Sequence, residues 1–156
     1  MRASYLLVLQ LPQEMRIKIA NGTQCLERGY YIYLGSACVA RPYLRVLRHF
    51  SSSKKARWHI DYLTLSGFSK PLLGVVLYGV SEEALYQTIS RQVEIRPALP
   101  KFGTTDRRNH TTHLFKVERT SILSLVSKIL VLARSLGPDL VEIVVSEYLH
   151  ELSETS

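Results

Sequence analysis

Apolar and aromatic residues run almost unbroken from Ser4 to Leu11, and Pro12 ends the run. A short continuous apolar run of this kind reads as a buried strand. Met15 to Ala20 alternates apolar and charged residues with period two, which predicts a half-exposed strand, and Asn21-Gly22 is a tight turn. Gly29 to Leu34, rich in Tyr and Ile, is a third strand. From Tyr43 to Phe50 the period changes: Tyr43, Leu44, Leu47 and Phe50 share one helical stripe, and Arg45, Arg48 and His49 fall off it. Ser51 to Lys55 is a polar loop. Trp58 to Leu63 forms a compact element for which helix and strand both stay open.

Leu72 to Val80 is nearly all apolar and predicts a central strand. Ser81 is placed to cap a helix reaching about Val93, with Glu82 and Glu83 in the first turn where the helix dipole favours carboxylates. Arg96 to Asn109 holds Pro97, Pro100 and Gly103 and reads as a loop, followed by a last strand, His113 to Val117. Thr120 to Leu136 is a helix with Ile122, Leu125, Val126, Ile129 and Leu130 on one face, stopped by Gly137-Pro138. Asp139 is placed to cap a final helix to about Leu152. The expected class is α/β in the α+β sense: a small mixed, mainly antiparallel sheet flanked by helices, with a helical C-terminal extension.

Composition narrows the partners. A chain of 156 residues, 46% hydrophobic and 21% charged, is sized for one domain with its own core. Lys and Arg number 20 against 13 Asp and Glu, a net charge of +7 and a pI near 9.6, which favours an anionic partner such as DNA or RNA. Two cysteines, Cys25 and Cys38, are too few for a disulfide framework or a zinc site of their own. No apolar run reaches the ~18–20 residues of a membrane span, and the first strand stands where a signal peptide would lie, so the expected location is cytoplasmic.

Candidate chemistry sits at strand ends and helix starts. Tyr5 and Tyr33 lie in apolar strands, where a tyrosine is ordinarily a packing residue. Arg45 and His49 lie on the basic helix, and Glu82 opens a later one. None is specific alone; their order and spacing single them out. Ala3-Ser4-Tyr5, Tyr33-Leu34-Gly35, Arg45 four before His49, and Glu82 at a helix start together resemble the GIY-YIG nuclease superfamily. The resemblance is to its small stand-alone, Uri-like branch, long described as a domain of unknown function and also found fused to repair glycosylases. Trp58-His59-Ile60-Asp61-Tyr62-Leu63, the Phe102-Gly103-Thr104-Thr105-Asp106 loop and Thr112-His113-Leu114-Phe115 match segments of that branch. The match covers roughly residues 3 to 117.

The resemblance implies a GIY-YIG-like domain over residues 1–118 and a helical extension over 119–156 packed on it, the extension being an extra layer or a homodimer surface. It implies a divalent-metal-dependent endonuclease acting on DNA, strand- or structure-selective and repair-related, with RNA not excluded and no membrane partner. Glu82 would hold Mg²⁺ or Mn²⁺, Arg45 would contact a phosphate oxygen, Tyr33 would take a proton from the attacking water, and His49 or Tyr5 would relay it. Lys54, Lys55, Arg57, Arg107 and Arg108 are candidate phosphate contacts. His59, Asp61, Asp106 and His113 would support the site or brace the sheet. Ala3 departs from the first motif's glycine. Arg107 and His110 stand where the branch often has cysteines, which argues against a metal or thiol role for that loop. The alternatives are a non-catalytic nucleic-acid-binding module on the same scaffold and a protein-interaction domain.

Overall fold

The structure, a computed structural model, describes residues 2–19, 22–51, 54–57, 59–65, 67–104, 107, 109–149 and 151. Trp58, Asp106 and Arg108 therefore lie outside the described residues, as do the roles assigned to the last two.

A six-stranded antiparallel sheet carries the molecule. Its strands are β1 (Ala3–Leu11), β4 (Gly29–Ser36), β5 (Lys70–Tyr78), β6 (Ile95–Pro97), β7 (Leu114–Val117) and β8 (Leu140–Val145), in the order β6-β7-β4-β1-β5-β8. A separate hairpin pairs β2 (Met15–Ile19) with β3 (Gly22–Leu26). Helices pack around them: α1 (Pro42–Leu47), α2 (His59–Thr64), α3 (Glu82–Ser90) and α4 (Ile122–Ser135), with a 3₁₀ turn, Arg48–Phe50, after α1. No helix among the described residues is long and apolar enough to cross a membrane.

The continuous apolar character of β1 follows from its place between β4 and β5, with both faces covered. Leu6 and Val8 point into one core with Leu73, Val75 and Leu77 of β5 and with α3 and α4. Tyr5, Leu7, Leu9 and Leu11 point into the other, which Val46, Ile60 and Leu63 close together with Ile17 and Leu26 of the hairpin. The second core ends in aromatic residues, and the polar site is built there.

Several sequence expectations are corrected. The segment after Asp139 is not a helix: Leu140–Val145 lies antiparallel to β5, Val141 opposite Leu77 and Val145 opposite Leu73, and only residues 147–149 and 151 are helical. The C-terminal part is thus not wholly helical; α4 closes one core and β8 extends the sheet. Val141, Ile143, Val144 and Val145 are β-branched and lose little on a pleated surface, and the open edge of β5 supplied the ladder that the local sequence could not show. Gly22–Leu26, unassigned beyond the turn at Gly22, is a strand, and so is Ile95–Pro97, at the start of the expected loop. Trp58 to Leu63 resolves as a helix over its described part.

The α1 stripe is also rotated from the expected one. Pro42, Val46 and His49 are buried, whereas Tyr43, Leu44 and Leu47 are each more than a third exposed. Gly74 of β5 sets this rotation. A Cβ at Gly74 would collide with Val46 Cγ1, so Val46 sits directly on bare backbone. With Val46 fixed there, Arg45 and His49 turn toward the aromatic end of the core.

Candidate active-site cleft

Tyr5 comes from β1, Tyr33 and Gly35 from β4, Arg45 from α1, Glu82 from the first residue of α3, and His113 from the residue before β7. All six line one cleft of about 520 Å³, which Arg57, His59 and Gly103 also border. Arg45 and Glu82 thus share a cavity although 37 positions separate them in sequence.

β1 and β4 pair in a register that puts Tyr5 opposite Gly35. A Cβ on Gly35 would stand 2.4 Å from carbons of the Tyr5 ring, a clash, so the missing side chain is what lets the ring lie across the neighbouring strand. Gly35→Ala should therefore destabilise the fold by about 1–3 kcal/mol and displace the Tyr5 hydroxyl. Urea denaturation checks this; an unchanged midpoint would show that Tyr5 relocates without strain.

The Tyr5 hydroxyl lies 2.9 Å from His49 Nε2. Desolvation by burial, reinforced by the neighbouring Tyr33, pushes the Tyr5 phenol well above its ordinary range, so it stays protonated and donates. Burial likewise pushes His49 down to about 3, helped by the charge of Lys54, so its imidazole is neutral and accepts. His49 Nδ1 is buried without a hydrogen-bond partner among the described residues. His49 does not line the cleft; it stands behind Tyr5 and acts through it.

That neutral histidine carries a pH consequence. The unfolded imidazole takes a proton near pH ~6.5, so below that pH the unfolded state binds more protons than the native one. Stability should be intact above ~6.5 and should fall as pH drops toward about 3. His49 alone contributes a slope of at most about 1.4 kcal/mol per pH unit. Denaturation of the wild type and His49→Gln between about pH 4 and 7 checks it: the variant should lose stability less steeply, and parallel slopes would place the acid sensitivity elsewhere.

Glu82 is first in α3 because Ser81 caps the helix, its Oγ accepting from the Ala84 N–H at 3.1 Å. The Glu82 carboxylate is 8% exposed and pairs with Arg107, Nε to Oε1 3.1 Å. Beside it stand two buried imidazoles, His110 and His113, with Nδ1 of the first 2.7 Å from Nε2 of the second. One ligand atom from each of Glu82, His110 and His113 falls within 4.8 Å of the other two. Sequence reasoning missed His110. Its signal was the spacing His110-x-x-His113, in a loop where the absent cysteines argued against a metal role.

The loop carrying these histidines is pinned to the sheet. Lys101 N–H donates to the Thr111 carbonyl at 2.6 Å, His113 N–H to Phe102 at 2.8 Å, and Leu34 N–H to His113 at 3.0 Å. At Gly103, φ +73°, a Cβ would stand 3.1 Å from the Tyr33 ring, so bare backbone lies close against that ring. The Gly103 N–H donates to His59 Nδ1 at 2.9 Å, which orients that exposed imidazole at the rim. Phe102 meets the Tyr33 ring edge-on, centroids 6.1 Å apart.

Besides His49, two more expected site residues are placed elsewhere. Asp61 is fully buried and does not line the cleft; both of its carboxylate oxygens accept from Arg48 Nη1, at 2.8 and 3.0 Å, and Oδ2 also accepts from the Arg57 N–H at 2.8 Å. Lys54, expected to contact phosphate, is turned inward. Its Nζ donates to Thr64 Oγ1 at 2.6 Å and to the Arg48 carbonyl at 3.0 Å, and lies 3.6 Å from Asp61. These residues brace the segment joining α1 to α2. Lys55, Arg57 and Arg107 are exposed, and Arg57 borders the cleft.

An α+β protein with a central antiparallel sheet, and a polar cleft where two tyrosines, an arginine, a glutamate and histidines meet, is the class that fold and site define. The chain belongs to the family described as Domain of unknown function DUF123, whose model matches residues 4–134. Comparison with curated proteins and with solved structures gives no match.

Proposed function

We propose that this chain is a divalent-metal-dependent endonuclease of the GIY-YIG kind, hydrolysing phosphodiester bonds in DNA with strand or structure selectivity. The observation that carries this reading is the meeting of Tyr5, Tyr33, Arg45 and Glu82 in one cleft from four separate elements. Each group has the chemistry that phosphoryl transfer calls for, and the four are the residues that the resemblance to that superfamily singles out.

The residues present fit a divalent cation: a nearly buried carboxylate, Glu82, opens onto the cleft and holds a cationic partner, Arg107. A cation bound there supplies Lewis-acid stabilisation of the phosphate charge and of the leaving oxygen. Arg45 binds a non-bridging phosphate oxygen; its planar fork suits that geometry and its charge is permanent. Tyr33 orients the attacking water with its hydroxyl oxygen and takes the water's proton as the phenolate, its own hydroxyl proton having first left to solvent. Tyr5 cannot be the base, because its own proton is held on the hydroxyl by burial and committed to His49. Its role is to fix the polar end of the aromatic wall against Tyr33, the two ring centroids lying 6.3 Å apart.

Lys55, Arg57 and Arg107 offer phosphate contacts that read no bases. Affinity for duplex DNA should then fall with salt, with a log–log slope of about −3, roughly 0.9 for each of three or four phosphates neutralised. A titration in two or three salt concentrations checks it, and a flat response would remove the phosphate-reading surface.

The Arg107–Glu82 ion pair favours a second reading, a nucleic-acid-binding module that does not cleave, if the pair persists in the complex. One experiment separates the two: labelled single-stranded, duplex, flap and uracil-containing substrates incubated with Mg²⁺ or Mn²⁺, beside an Arg45→Ala control. Metal-dependent cleavage lost in the control supports the nuclease. Binding without cleavage on every substrate supports the module.

A further inference from the structure

We infer that Glu82, His110 and His113 form a three-ligand site for one borderline transition-metal ion of the Zn²⁺ class, and not for Mg²⁺. The site rests on the nuclease reading only for what its ion does there; ligand geometry and ligand chemistry carry the rest.

Two imidazoles and a carboxylate are a donor set that Mg²⁺ avoids. Mg²⁺ is hard, prefers oxygen and keeps its waters, whereas imidazole suits Zn²⁺, Co²⁺, Ni²⁺ and Fe²⁺. All three residues are buried, and their candidate ligand atoms already lie within 4.8 Å of one another. At metal–nitrogen distances of about 2.0–2.1 Å, tetrahedral ligand atoms stand about 3.3 Å apart. His110 Nδ1 and His113 Nε2, now 2.7 Å apart, need to open by about half an ångström. The carboxylate closes by rotating about its own side chain.

His110 is held as a metal ligand is held. Its Nε2 lies 2.5 Å from Glu83 Oε2, and its ring stacks on Tyr86, centroids 3.8 Å apart and planes 9° from parallel. Tyr86 Oη in turn accepts from the Thr111 N–H at 3.1 Å. A carboxylate on one imidazole nitrogen selects the tautomer whose other nitrogen offers a lone pair, and it raises that nitrogen's basicity. Here the nitrogen left to offer the lone pair is Nδ1, which faces His113. Glu83 is therefore a positioning residue.

Glu82 and His113 line the cleft, and His110 lies behind them. An ion so held keeps its remaining coordination positions on the side of Arg45 and Tyr33. Arg107, whose side chain is 45% exposed, is the cation that balances Glu82 meanwhile; when the ion takes the carboxylate, Arg107 is released toward solvent and phosphate.

The test is equilibrium dialysis of the full chain, stripped of metal and free of nucleic acid, against Co²⁺, Zn²⁺ and Mg²⁺. One Co²⁺ per chain is expected, with the intense visible bands of low coordination number and with shifted ring-proton resonances from two imidazoles. Zn²⁺ should displace it and millimolar Mg²⁺ should not. His110→Ala and His113→Ala should each weaken Co²⁺ binding ten-fold or more, and Glu83→Gln roughly ten-fold. Should a histidine variant fail to fold, the wild-type ring-proton shifts and the half-exposed Glu83→Gln decide. No Co²⁺ binding, or binding indifferent to both histidines, overturns the site. A chain that binds Co²⁺ through these residues and cleaves nothing keeps the site and loses the nuclease. A chain that cleaves with Mg²⁺ and binds no Co²⁺ keeps the nuclease and loses the site.

Discussion

Glu82→Ala is expected to lower metal-dependent cleavage by about 10³-fold or more while leaving DNA affinity within a few-fold of wild type. Lewis-acid stabilisation by a bound cation supplies several kcal/mol to a transition state, and each ~1.4 kcal/mol is ten-fold in rate. Among the described residues that line the cleft Glu82 is the carboxylate, so its loss takes away the anionic ligand they offer a cation there. It takes away no phosphate contact and frees Arg107 to make one. Glu83 does not substitute, because it follows Glu82 by about 100° around the helix and is committed to His110. The Glu83 carboxyl is held below the usual range by its hydrogen bonds from Gln87 and His110. Single-turnover cleavage and a binding titration, run on the same preparation, check the expectation. Near-normal cleavage by Glu82→Ala would remove Glu82 from the site even if nuclease activity is present.

Asp61→Asn is expected to act on stability instead. Asp61 is fully buried and carries Arg48, Lys54 and the Arg57 N–H on its two oxygens. Removing one partner of a buried ion pair leaves the others uncompensated and typically costs about 3–5 kcal/mol. For a chain of this size that corresponds to a fall in Tm of roughly 10 °C. Metal affinity and cleavage per folded molecule should be unchanged at a permissive temperature, because Asp61 does not border the cleft. A variant with wild-type Tm and lost metal binding would return Asp61 to the site. Lys54→Ala should destabilise in the same direction by less, since Arg48 keeps its two short bonds to the carboxylate.

Glu82 and Asp61 were both candidates in the sequence, and the difference between them shows what a sequence carries. Ser81 followed by two glutamates is a local capping signal, complete within four residues, so the place of Glu82 was readable. Asp61 sits in a hexamer as suggestive as any in the chain. Its partners are Arg48 and Lys54, and nothing in their spacing says which way those side chains turn. His110 is the converse case. Its setting required Glu83 and Tyr86 from α3 to meet a loop some 25 positions later, and no local pattern records that meeting.

By itself the sequence determined the elements whose signals are local. β1 read as a buried strand because apolar residues run through it almost unbroken, Ser4 and Gln10 excepted. The start of α3 and the core face of α4 were legible from a cap and a 3.6-residue period. Tyr5, Tyr33, Arg45 and Glu82 were legible as an ordered set. Tertiary structure decided whatever depends on a partner distant in the chain. The run 140–145 is a strand because β5 had an open edge to pair with, although its local pattern also allowed a helix. α1 buries Val46 and not Leu44 because Gly74 leaves room for one side chain on bare backbone. Lys54 turned inward because a buried carboxylate needs its counter-charge more than the surface needs a cation. The cleft is of the same kind: strand pairing brings Gly35 opposite Tyr5, and only a glycine there lets the ring lie where the other groups converge.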